Sequence, residues 1–69
     1  MTTLMLATKY ALYDLADAGL IPLNGDLTLK FPCEYADKLA EAACKNSGHK
    51  RVLRVYYNNG AGGLFADVE

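Results

Sequence analysis

His49 is the only histidine of the chain, and Ser47, Cys33 and Cys44 are its candidate nucleophiles. A hydroxyl–imidazole pair supports acyl transfer when the imidazole acts as base and a third group orients it. Ser47 and His49 are loop neighbours, a placement that rarely reaches that geometry, so a solvated loop histidine is expected. Zinc asks for about four ligands at workable spacing. Cys33, Cys44 and His49 contain no close-spaced pair, so no metal site is expected. A thiol in the first turn of a helix can be activated as a nucleophile. The simpler reading of Cys33 is a small packed residue beneath Phe31, and of Cys44 a packing residue. No catalytic constellation emerges, and no cofactor is expected.

Asn58-Asn59-Gly60-Ala61-Gly62-Gly63 is glycine-rich. A phosphate-cradling loop joins a strand to a helix whose N-terminus faces the anion. This stretch instead joins two strand-like segments and lacks a following Lys-Ser or Lys-Thr. It reads as a flexible hairpin tip.

Three surface groupings remain. Lys45, His49, Lys50, Arg51 and Arg54 concentrate positive charge, which suits phosphate contact or plain solvation. Asp14, Asp17, Glu34, Asp37 and Glu41 form an alternative acidic surface, which suits phosphate mimicry or solvated helix sides. The third is an outward sheet face of Thr28, Lys30, Val52, Arg54, Tyr56, Phe65 and Asp67. Aromatics beside arginine are typical of binding surfaces. Lys30, Arg54, Tyr56 and Phe65 are therefore the expected partner-binding residues, whether the partner is another protein or a second copy.

These groups need elements to hold them. Leu4, Thr8, Ala11, Leu12, Leu15 and Ala18 share a stripe of helical period, which predicts a helix over Thr2–Ala18 stopped by Gly19. Thr2–Ala7 also admits a strand feeding a shorter helix from Thr8. Asn24-Gly25 is a turn signal, and Asp26–Phe31 alternates as a strand should. Pro32 suits the first position of a helix over Cys33–Asn46, with Ala36, Leu39, Ala40 and Ala43 buried. Glu34–Lys38 and Glu41–Lys45 are favourable i,i+4 pairs. Lys50–Tyr57 reads as a strand with Leu53, Val55 and Tyr57 inward, and Leu64–Val68 as its return strand. The expected fold is α+β, a small two-layer domain of order α-β-α-β-β, with two helices packed on a three-stranded sheet.

At 69 residues the chain suffices for one domain, taken as 1–69. Apolar residues make up 52% and charged residues 22%, the balance of a globule rather than of a disordered segment. A net charge of −1 supplies no field for bulk nucleic-acid binding, so direct nucleic-acid contact is not expected. Met1–Ala7 lacks the basic leader of a secretory signal, and no apolar run approaches a membrane span. Cys33 and Cys44 on one helix would lie about 16 Å apart, too far to pair. Free thiols fit a reducing cytoplasm, the expected location.

In size, charge and compact element order, the chain resembles the small phage-encoded anti-CRISPR inhibitors of type I systems. No shared motif carries this resemblance, so no residue role transfers. It implies a non-catalytic, stoichiometric blocker that binds a CRISPR effector subunit. A second resemblance rests on Leu12-Tyr13-Asp14-Leu15-Ala16-Asp17-Ala18-Gly19-Leu20-Ile21, which is similar to a passage of winged-helix DNA-binding regulators. It implies that the hairpin over Arg51–Val68 is a wing and that the second helix enters the major groove. The acidic Glu34, Asp37 and Glu41 oppose that use, and winged helices usually carry three helices.

Overall fold

A computed structural model of the chain describes residues 1–22 and 33–69. The expected Asn24-Gly25 turn, the Asp26–Phe31 strand and Pro32 lie outside the described residues, as do Thr28 and Lys30. The order of described elements is β1 (Thr2–Thr8), α1 (Lys9–Asp17), α2 (Glu34–Asn46), β2 (Val52–Asn58) and β3 (Gly63–Val68). They form an α+β domain with two helices on a three-stranded antiparallel sheet.

The single helix expected over Thr2–Ala18 is corrected: its first seven residues are strand β1, and the helix starts at Lys9. The physical reason is long-range. β1 pairs with β3 from Thr2↔Val68 to Thr8↔Gly63, and that ladder outweighs the helical stripe on which Leu4 and Thr8 fall. Thr8 then ends the strand and caps the helix. Its Oγ1 accepts a hydrogen bond from the Ala11 N–H at 3.2 Å. The Lys9 N–H, orphaned at the helix start, donates to the Gly62 carbonyl of the hairpin tip at 2.8 Å.

Both helices end in the same device. After α1, Gly19 takes φ +77°, its N–H bonds the Ala16 carbonyl, and the Leu20 N–H reaches the Leu15 carbonyl. After α2, Gly48 takes φ +76°, its N–H bonds the Lys45 carbonyl, and the His49 N–H reaches the Cys44 carbonyl. These paired bonds close the helix ends, and only glycine takes the left-handed cap without strain.

The strand order is β1-β3-β2, so the last strand of the chain is central. Each edge strand carries one irregularity against β3. In β1 it lies between Met5 and Ala7, and in β2 between Val52 and Arg54. The core lies between sheet and helices in two clusters. Leu12, Ile21, Ala36 and Leu64 form one. Ala40, Cys44, Ala66 and Val68 form the other. Leu6 and Val55 touch both. Ala36 and Ala40 are buried on α2 as expected, while Leu39 and Ala43 are half-buried and Cys44 completes the stripe.

The irregularity in β2 corrects two facing assignments. Val52 lies opposite Val68 and packs on the core, whereas Leu53 is exposed. Leu53 is the extra residue of a bulge, and a one-residue insertion exchanges the faces of everything before it. Beyond it Val55 and Tyr57 point to the core as expected. The hairpin tip is also tighter than a flexible loop. Asn58 accepts from the Ala61 N–H through its side chain and from the Gly62 N–H through its carbonyl.

Candidate functional site

The sheet face opposite the helices is built from two rows that cross all three strands. One row is Thr3–Asp67–Arg54 and the other is Met5–Phe65–Tyr56. Strand alternation brings the central pair Phe65 and Asp67 to this face, and the bulge in β2 brings Arg54 and Tyr56 into register with them.

Asp67 is the one buried charged residue among those described, at 1% exposure. Its Oδ1 accepts from Thr3 Oγ1 at 2.7 Å and from Tyr56 Oη at 3.3 Å. Its Oδ2 accepts from Arg54 Nε at 2.6 Å. The Arg54 hydrogen bond, then that of Thr3, holds the Asp67 carboxyl below the usual carboxylate range, against the opposing effect of burial. The same bond raises the Arg54 guanidinium above its ordinary value. Arg54 also lies over the Tyr56 ring, 4.5 Å from its centroid, and Tyr56 stacks on Phe65 at 6.2 Å. Arg54 is thus a largely exposed lid on a buried carboxylate, supplying its ion pair while Thr3 and Tyr56 supply its other hydrogen bonds.

The second row is apolar. Met5 is 53% exposed, Phe65 and Tyr56 are half-buried, and neither ring belongs to a core cluster. Gly63 continues this face. A Cβ there would sit 2.8 Å from the Ala7 carbonyl oxygen and 3.2 Å from Met5 Cε.

Of the expected partner-binding residues, the structure brings Arg54, Tyr56 and Phe65 together on one face. Lys30 is outside the described residues. Val52 is removed from the outward set by the bulge. Thr3 and Met5 join it unforeseen, because their segment read as helix. The β-branched pair Thr2-Thr3 and the capping residue Thr8 were the signals that could have found them.

The other groupings separate. Arg54 leaves the basic cluster for the sheet face, while Lys45, His49, Lys50 and Arg51 line a groove at the C-terminal end of α2. Asp14 and Asp17 on α1, and Glu34, Asp37 and Glu41 on α2, are all exposed. Among these, Glu34 pairs with Lys38 at 3.5 Å as expected. The expected Glu41–Lys45 pair is not formed among the described residues.

Ser47 Oγ lies 2.7 Å from His49 Nδ1, closer than loop neighbours usually come. The hydroxyl also bonds the Ala43 and Cys44 carbonyls, at 2.8 and 3.1 Å. Those bonds place the hydroxyl at the end of α2, where it supplements the backbone cap. Cys33 is the N-cap of α2, half-buried against the first cluster, and it makes no side-chain capping bond. Cys44 is buried, and both thiols are free. Among the described residues, no group of three or more histidine, cysteine or acidic side chains is placed to hold a metal ion. No described helix is long and apolar enough to cross a membrane. No family model, curated protein or solved structure matches the chain.

Proposed function

We propose that the chain is a non-catalytic binding protein whose open sheet face docks on another protein. The observation that carries this reading is the composition of the face. Its partly exposed apolar row, Met5–Phe65–Tyr56, lies beside a row whose charges are already matched, with Arg54 held by Asp67. A surface of aromatics, methionine and arginine with little net charge is what the centre of a protein interface looks like. A single-stranded nucleic-acid platform needs cations not already paired, to meet the phosphates that follow each stacked base. Arg54, the cation among the described members of this face, is neutralised by Asp67, which favours a protein over a nucleic acid.

The partner's contact centre is expected to be apolar and uncharged, with a hydrogen-bond acceptor for the outer edge of Arg54. Within this class the specific reading is a stoichiometric inhibitor, of the kind that occupies a subunit of a type I CRISPR effector in the host cytoplasm. It rests on size, charge and layout. The alternative is a winged-helix regulator, which would lay α2 into DNA. The exposed side of that helix opposes it, because Glu34, Asp37 and Glu41 would face the phosphates.

The test is a pull-down with purified type I effector subunits, run in parallel with a duplex-DNA gel shift at physiological salt. Tyr56→Ala with Phe65→Ala is expected to weaken capture at least about tenfold, the loss typical of interface hot spots. Its circular dichroism should stay close to that of the parent, while its melting temperature falls modestly because Tyr56 also donates to the buried Asp67. Charge reversal at Asp14, Asp17, Glu34, Asp37 and Glu41 should leave capture intact. The opposite pattern moves the working surface to the helical side. Nanomolar sequence-specific DNA binding replaces the inhibitor reading with the regulator.

A further inference from the structure

The groove at the end of α2 is separate from the sheet face and owes nothing to the reading above. It has a volume of about 570 Å³ and is lined by Glu41, Lys45, His49, Lys50 and Arg51 among others. We propose that it binds a small phosphate-bearing anion, such as a free phosphate or diphosphate or the phosphate group of a small ester.

Three cationic side chains, Lys45, Lys50 and Arg51, face one lining carboxylate, Glu41. Glu69 offsets Arg51 from outside the lining, and its main-chain oxygen accepts from the Lys50 and Arg51 N–H groups, so Lys45 and Lys50 are the lining cations without an ion pair among the described residues. The Glu69 contact engages Arg51 Nε, only one of the five N–H donors of a guanidinium. Lys45 and Glu41 do not spend their charges on each other, since no ion pair joins them among the described residues.

A helix C-terminus ordinarily repels anions through its unsatisfied carbonyls. Here the carbonyls of Ala43, Cys44 and Lys45 are occupied. Ser47 bonds the Ala43 carbonyl through N–H and hydroxyl, His49 N–H bonds that of Cys44, and Gly48 N–H bonds that of Lys45. The repulsive end of the helix is thereby capped. The contact between Ser47 Oγ and His49 Nδ1 fixes the imidazole at the rim, and the Lys50 and Arg51 N–H groups are tied to Glu69, which holds the segment after it. The backbone around the groove is thus braced, and the Arg51 side chain is held by Glu69.

The experiment is an NMR titration of the full chain with sodium pyrophosphate against sodium chloride of equal ionic strength. It follows the His49 ring and the amides of residues 48–52. Saturable shifts confined to these groups, with Tyr56 and Phe65 unmoved, are expected with pyrophosphate alone. Lys45→Gln with Lys50→Gln should weaken binding by about tenfold or more, since two charge-assisted contacts to the anion are lost. Neither change removes a core side chain, and an unchanged melting temperature checks that. A parallel titration with adenosine diphosphate separates the sources. Equal affinity identifies the free anion as sufficient, and tighter binding identifies a phosphate ester. Shifts that match those of chloride, or an undiminished affinity in the double variant, overturn the proposal.

Discussion

Asp67 sets the terms of the sheet face one residue at a time. A buried carboxylate is tolerated only when its lone pairs are used, and here Arg54, Thr3 and Tyr56 use them. Because its folded-state pKa is depressed, its contribution is complete above the unfolded value of about 3.9. It is lost as pH falls through the folded value. Denaturant melts of the parent and Asp67→Asn should therefore differ most near neutrality, and the difference should shrink between about pH 5 and pH 2. A constant gap across that range would mean that the carboxylate's charge is not what matters. Gly63 makes a second claim at this scale. Gly63→Ala puts a methyl 2.8 Å from the Ala7 carbonyl oxygen and should cost about 1–3 kcal/mol by overpacking, read from urea unfolding.

Among the elements, β2 was the most informative. Its alternation was visible in Val55, Tyr56 and Tyr57, and those facings hold. Its first half was not legible. A bulge leaves no mark in an apolar run, so Val52 and Leu53 exchange roles without any local signal. Val52→Ala should cost roughly 1–2 kcal/mol, the transfer energy of the two methyls it loses. Leu53→Thr should stay within about 0.5 kcal/mol. Chemical denaturation of both variants checks the bulge, and the reverse order would place it elsewhere. The end of α1, by contrast, was legible, because Gly19 is a local signal for local geometry.

On the scale of the whole molecule, β3 is the hub. It is central in the sheet, and its inward side chains Leu64, Ala66 and Val68 feed both core clusters. Leu64→Ala should lose about 2–5 kcal/mol, the range for emptying a closed core site. For a chain this short, that is a large share of the total stability. Thermal melting should show it directly, and a loss under 1 kcal/mol would mean that the core collapses around the gap.

Composition, turn residues and short periodicities were enough to determine the α+β class, α2 and its buried alanines, the β2–β3 hairpin and the outward placement of Tyr56 and Phe65. All of these depend on neighbours a few residues away. Tertiary structure alone decided that Thr2–Thr8 is a strand, because its partner, Gly63–Val68, lies at the other end of the chain. The same pairing delivered Thr3 to Asp67 and Met5 to Phe65, completing the face. It also separated Arg54 from its sequence neighbours Lys50 and Arg51, sending one cation to a buried carboxylate and leaving the others around a groove. Propensity is a sum over adjacent residues, whereas a ladder between the two ends of a chain is a property of the closed fold, and where they disagreed the ladder held the larger share of the free energy.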